Sequence, residues 1–241
     1  SVAGESIASE THSGSETASE SARKPKGNYI TAILGDSLTD KGVYSDIVTE
    51  HYTDYLYEHC TFIDNIQNLG YAGSCIAGLP DKEGKMSPSF IERCNRIKAS
   101  VNLVIVFGGT NDFGHGDGGL GNMDCRDEYS FYGALHCLCN KLIDKFTSSR
   151  IVFITPLHRL SEDEPVNGLG IKREGNLKAY VEAVKNVCEY YSLPVLDLYA
   201  ESGIQPRLQS IKEKYCPDGL HPNDSGHEIL ASMIAGFLKT L

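Results

Sequence analysis

Four separated stretches of the chain carry residue types that, brought together, could do nucleophilic acyl chemistry. Ser37 follows the short apolar run Tyr29-Ile-Thr-Ala-Ile-Leu34, which Gly35 stops, so its hydroxyl stands just past a strand end. In an open α/β sheet that is the edge where ligands bind. A serine hydroxyl is a poor nucleophile at neutral pH and needs a base within hydrogen-bond reach, usually a histidine oriented by a carboxylate. Asp218 and His221 stand three apart in the turn Asp218-Gly-Leu-His221-Pro222, so the carboxylate can fold back onto Nδ1 and leave Nε2 for Ser37. The tetrahedral intermediate also needs donors for its oxyanion. Gly73, without a side chain, can bring its backbone N–H close to a substrate, and Asn111 can offer its side-chain amide from the loop after a later strand. The Ser37 N–H is a third donor.

Each member of this set has a plainer reading. Gly-Asp-Ser after a strand is ordinary turn chemistry, Asp218 and His221 can cap a turn before a proline, Gly73 can be a turn glycine, and Asn111 suits an Asx turn. The combination carries the argument. Asp36 and Asp112 flank the candidate positions and are expected to hold turns through side-chain-to-backbone bonds. His115 and His158 fall in loops after the third and fourth strands, where they either touch substrate or stand solvated. His227, in the first turn of the last helix, reads as a packing or capping residue, and His51, His59 and His136 lie on helices away from the strand ends.

The elements that must position these residues alternate along the chain. Strands are expected at residues 29–35, 61–68, 101–107, 150–155 and 194–198, and helices at 44–60, 88–97, 127–146, 176–191 and 224–238. Residues 101–107 form a near-continuous apolar run, as in a parallel strand covered on both faces. Ser225 and Glu228 give the last helix a Ser-x-x-Glu capping pattern. The alternation predicts an α/β fold, a three-layer α/β/α sandwich with a five-stranded parallel sheet in the flavodoxin-like order 2-1-3-4-5. In that order strands one and three flank the crevice, and they end at Ser37 and Asn111.

Composition narrows the partners. The 241 residues, 41% hydrophobic, suffice for one catalytic domain over 28–241, while residues 1–27, rich in Ser, Glu, Thr and Ala, read as a tail or linker. A net charge of -10 disfavours nucleic acid and anionic membranes, and favours a small neutral or carbohydrate ester as substrate. No apolar run approaches a membrane span, and the polar N-terminus lacks the apolar core of a signal peptide. The eight cysteines form no CxxC pair and fall mostly in apolar patterns, which points to free thiols in a reducing, cytoplasmic setting; secretion with disulfides, or membership of a larger protein, is the alternative. Cys137 and Cys139, two apart on a helix, face different ways and cannot clamp one metal. No metal or cofactor is expected.

The four stretches, Gly35-Asp36-Ser37-Leu38, Asn68-Leu-Gly-Tyr-Ala-Gly73, Gly109-Thr-Asn111-Asp112 and Asp218-Gly-Leu-His221-Pro222, occur in the order of the four blocks of the SGNH hydrolases, or GDSL esterases and lipases. The chain resembles this family from about Tyr29 to Leu241. The resemblance implies Ser37 as nucleophile, His221 as general base and then acid, Asp218 as its orienting carboxylate, and Ser37, Gly73 and Asn111 as the oxyanion hole. No long apolar insertion offers a lid for a fatty chain, and the polar loops 113–121 and 157–174 suit a hydroxylated leaving group. The expectation is therefore a serine esterase acting on small acyl esters, acetyl above all, on a carbohydrate. A lysophospholipase, thioesterase or arylesterase of the same family is the alternative within the class, and a non-catalytic carbohydrate-binding module of a larger protein the alternative outside it.

Overall fold

Three apolar runs build the centre of the sheet. In the computed structural model, which describes residues 28–78 and 88–241, the strands are β1 (Tyr29–Gly35), β2 (Ile63–Gly70), β3 (Leu103–Phe107), β4 (Arg150–Ile154) and β5 (Val195–Leu196). They pair in the order β2-β1-β3-β4-β5, and every pair is parallel. This is the predicted doubly wound α/β order. The tail expected over residues 1–27 lies outside the described residues.

Strand side chains alternate between two apolar layers. Ala32 and Leu34 of β1, Val104 and Val106 of β3, and Ile151 and Phe153 of β4 enter one layer, covered by α2 (Phe90–Arg93), α4 (Phe131–Lys145) and α5 (Leu177–Tyr190). Ile33, Ile105, Phe107, Val152 and Ile154 enter the other, covered by α1 (Tyr52–His59) and α8 (Asp224–Lys239). Each fully buried aliphatic side chain contributes about 1.5–3 kcal/mol, and both faces are apolar, so the layers fix how the helices dock. Ile30, at the outer start of β1, stays 37% exposed.

Register then sets the functional edge. Gly35 pairs with Gly70 on one side and Phe107 on the other, so β1, β2 and β3 end level. Ser37, the loop after β2 and the short helix α3 (Thr110–His115) therefore emerge side by side. The segment between β5 and α8 forms two further short helices, α6 (Leu198–Glu201) and α7 (Gln209–Tyr215), before reaching Asp218.

Three local expectations are corrected. The helix expected from Tyr44 begins only at Tyr52, because the carboxylate of Asp224, distant in sequence, takes the backbone N–H groups of Thr49 and Glu50 (2.6 and 3.1 Å) and holds them in a non-helical path. The last helix is capped by Asn223, whose side chain accepts from the Gly226 N–H at 3.1 Å, so Ser225 lies inside the first turn and is no cap. The helix expected from Asp127 starts at Phe131: Asp127 accepts the N–H groups of Tyr129 and Ser130 in a turn, and Ser130 takes the cap.

Candidate active site

The turn after β1 is built by Asp36. Its Oδ1 accepts the Leu38 N–H at 3.0 Å, and its carbonyl accepts the N–H groups of Thr39 and Asp40 at 3.1 and 3.0 Å, so the chain reverses sharply around Ser37. Gly35 permits the reversal, since a Cβ there would lie 1.9 Å from Thr39 Oγ1. Asp36 is buried, and burial pushes its carboxyl up to about 6 against the opposing pull of the Leu38 N–H.

Ser37 Oγ lies 3.0 Å from His221 Nε2, and His221 Nδ1 lies 2.6 Å from Asp218 Oδ2. The other Asp218 oxygen accepts the backbone N–H groups of Leu220 and His221 at 2.8 and 2.6 Å, which closes the turn and aims the imidazole. Burial alone would raise the Asp218 carboxyl, but the bonds from the His221 ring and these two N–H groups outweigh it and hold the group below its ordinary value. It is thus an anion bonded to Nδ1, which places the proton on that nitrogen and leaves Nε2 as acceptor for the hydroxyl. Such a chain can take a proton from Ser37 as the hydroxyl attacks.

A second group of residues assembles around the loop after β2. Gly73 has φ +75, a region that an L side chain rarely adopts, although nothing would block a Cβ there. Helix α3 is stitched to this loop by three of its residues. Asn111 Nδ2 donates to the Ser74 carbonyl at 3.0 Å, the Asp112 carboxylate accepts the N–H groups of Ile76 and Ala77 at 2.9 and 3.0 Å, and His115 Nε2 donates to the Gly73 carbonyl at 2.9 Å. Asn111 thus sits in the first turn of a helix rather than in the expected loop, and the bond to Ser74 uses one of its two amide hydrogens. The turn-holding roles expected of Asp36 and Asp112 are what the structure displays. Burial pushes the Asp112 carboxyl, too, up to about 6.

The Ser37 and Gly73 loops are tied directly to each other. Asp40 accepts the Ala72 N–H at 3.0 Å, the Gly35 carbonyl accepts from Tyr71 at 3.1 Å, and Asn68 donates to the Thr39 carbonyl at 2.8 Å. Arg93 of α2, which sequence reasoning missed, locks the same junction. Its buried guanidinium donates to the carbonyls of Gly35, Leu69 and Pro88 and to Ser74 Oγ, satisfying the ends of β1 and β2. The one signal in the sequence was an arginine set among the apolar Phe90, Ile91 and Cys94.

His158 is engaged elsewhere. Its Nδ1 meets the Glu162 carboxylate at 2.7 Å and its ring lies on Tyr199 at 3.7 Å. His227 accepts the N–H of Tyr52, the first residue of α1, at 3.1 Å, so it caps a helix other than its own. All eight cysteines are free thiols. Among the described residues no group of three His, Cys, Asp or Glu side chains is placed to hold a metal ion, and no helix is long and apolar enough to cross a membrane.

Comparison with known proteins bears on the family and the fold. The pattern of the GDSL-like lipase/acylhydrolase family matches residues 33–229. A solved structure from Lactobacillus plantarum is 29% identical, with a TM-score of 0.75 over 88% of this chain and 97% of its own. Another is 34% identical, with a TM-score of 0.74 over 89% and 97%. An acetyl xylan esterase at 16% identity shares the fold, with a TM-score of 0.54 over 86% and 98%. A search of curated proteins found no match. The matched residues run from the end of β1 into the first turns of α8 and take in Ser37, Gly73, Asn111, Asp218 and His221, so the chain belongs to the GDSL-like lipase/acylhydrolase family, hydrolases that act on esters.

Proposed function

We propose that this protein is a serine esterase that removes small acyl groups, acetyl above all, from a carbohydrate. Ser37 Oγ attacks the ester carbonyl while His221 Nε2 takes its proton, and the oxyanion is held by the N–H groups of Ser37 and Gly73 and the second amide hydrogen of Asn111. The imidazolium, stabilised by Asp218, then protonates the departing alcohol. Water, deprotonated in turn by His221, cleaves the acyl-enzyme and releases the acid. The observation that carries this reading is the unbroken chain of hydrogen bonds from Ser37 Oγ through both nitrogens of His221 to Asp218.

Support for a hydroxylated leaving group comes from the far end of α3. There a cavity of about 180 Å³ opens between residues 116–119 and 171–174, lined by Asp117, Asn167, Lys172, Arg173, Glu174 and Tyr180. None of Ser37, Gly73, Asn111 or His221 lines it, and its polar side chains would suit the hydroxyls of a sugar reaching beyond the reacting ester better than a fatty chain. An acetyl xylan esterase of the same fold among the solved structures supports the reading.

Hydrolysis of p-nitrophenyl esters from acetyl to palmitoyl, together with acetate release from an acetylated xylo-oligosaccharide, tests the assignment. The expected result is a kcat/KM maximum at acetyl and release of acetate from the sugar. A maximum at long chains overturns the small-acyl reading in favour of a lipid substrate. Absence of hydrolysis across the series, with no labelling by a fluorophosphonate, overturns the enzyme reading in favour of a binding module.

A further inference from the structure

Residues 42–50, between the Ser37 turn and α1, form a strap without regular helix, largely exposed, in which Val48 alone is buried. Both of its ends fasten onto the block that carries His221. At one end Asp224, three residues beyond His221, accepts the N–H and hydroxyl of Thr49, both at 2.6 Å, and the Glu50 N–H at 3.1 Å. At the other, the ring of Tyr44 stacks on the His221 imidazole, with centroids 3.8 Å apart and planes 26° from parallel. Tyr44 holds a φ of 58°, a left-handed conformation that a bulky L-residue keeps only where its surroundings impose it, and its carbonyl accepts the N–H groups of Ile47 and Val48, both at 2.9 Å. The turn thus spends backbone strain to lay an aromatic ring on the imidazole.

The in-plane contacts of His221 explain what such a ring adds. Ser37 and Asp218 hold the two nitrogens at the ring edge, and together they define an axis about which the imidazole can still rock. A stacked face removes that motion. It also places a π cloud against the ring at the stage when His221 becomes a cation, an arrangement favourable to the charged form.

We propose that Tyr44 is a positioning residue for His221, clamping the imidazole face and favouring the imidazolium formed as Ser37 attacks. The inference rests on the serine-esterase reading above. Tyr44→Phe, Tyr44→Leu and Tyr44→Gly separate the aromatic face from the hydroxyl and from the strained backbone. With p-nitrophenyl acetate, Tyr44→Leu is expected to lower kcat about five- to tenfold with little change in KM, the scale of one aromatic contact. Tyr44→Phe should restore most of that loss. Tyr44→Gly should lose as much as Tyr44→Leu with no fall in Tm, since glycine adopts the backbone without strain.

A substrate-free readout keeps the two hypotheses apart. The downfield proton resonance of the His221 Nδ1–H bonded to Asp218 should be present in the wild type and in Tyr44→Phe, and broadened in Tyr44→Leu. Unchanged kcat and an unchanged resonance in Tyr44→Leu overturn the clamp. If the wild type neither hydrolyses esters nor reacts with a fluorophosphonate, the esterase reading fails, while the resonance still decides whether Tyr44 holds the ring.

Discussion

Two histidines six residues apart, His221 and His227, are both buried and both stacked on a tyrosine, yet the structure prepares them for opposite tasks. His221 lies on Tyr44 and has its Nδ1 on a carboxylate, so it can accept a proton at Nε2 and have the resulting cation stabilised. His227 lies parallel to Tyr52 at 5.9 Å, and its Nδ1 is occupied by the Tyr52 N–H. Burial, with His51 beside it, pushes His227 down to about 3, so it remains neutral at working pH. Stacking is common to both. What separates a candidate base from a structural acceptor is the partner on the second nitrogen, a carboxylate in one case and a backbone donor in the other.

The comparison breaks most visibly at the first histidine. Ser37→Ala or His221→Ala should lower kcat for p-nitrophenyl acetate by at least about 10³-fold with the fold intact by circular dichroism, because either removes one end of the proton transfer. Retention of most activity in either variant would move the chemistry elsewhere. Asp218→Asn leaves the shape but allows Nδ1 to lose its proton to Nε2, and should cost about 10²–10⁴-fold in kcat. Asn111→Ala removes one oxyanion donor, with an expected loss of about 10²-fold in kcat and a smaller change in KM.

The other side of the comparison is a stability effect. His227→Phe leaves the Tyr52 N–H without its acceptor, and should destabilise the protein by about 1–3 kcal/mol at pH 7 while kcat stays within about twofold. Its pH dependence has a definite sign. Folded His227 binds its proton only near pH 3, whereas the unfolded side chain does so near the ordinary 6.5, so wild-type stability contributed by this group is complete above 6.5 and declines as pH falls towards 3. The variant lacks that decline, so urea melts should show the gap between the two proteins narrowing below pH 6.5. Asp36 and Asp112 act in the opposite sense: their folded carboxyls keep protons up to about 6 and their unfolded ones only to about 3.8, so their contribution falls as pH rises through that window. They are common to both proteins and cancel in the difference.

The sheet was legible because β1, β3 and β4 are apolar on both faces, and the strand order followed from the alternation of strands and helices. Asp218 and His221 were legible because their contact is local, three residues apart. The stretch from Tyr44 was misread as helix because its apolar spacing is helical, while the residue that decides its path, Asp224, acts from the far end of the chain. For the same reason nothing in the local sequence announced that Tyr44 would meet His221. Ser225 and Glu228 offered a capping pattern two residues too late, since Asn223 already occupied the cap. Arg93 was hidden because its four acceptors are mostly carbonyl groups, which carry no side-chain signature.

Reaction with a fluorophosphonate, followed by peptide mapping, tests the central claim most directly, because the reagent needs a nucleophilic serine and reports its position. The account predicts a single adduct on Ser37 in the wild type and little or none in His221→Ala. An adduct on another serine, or labelling of His221→Ala at the wild-type rate, would contradict it.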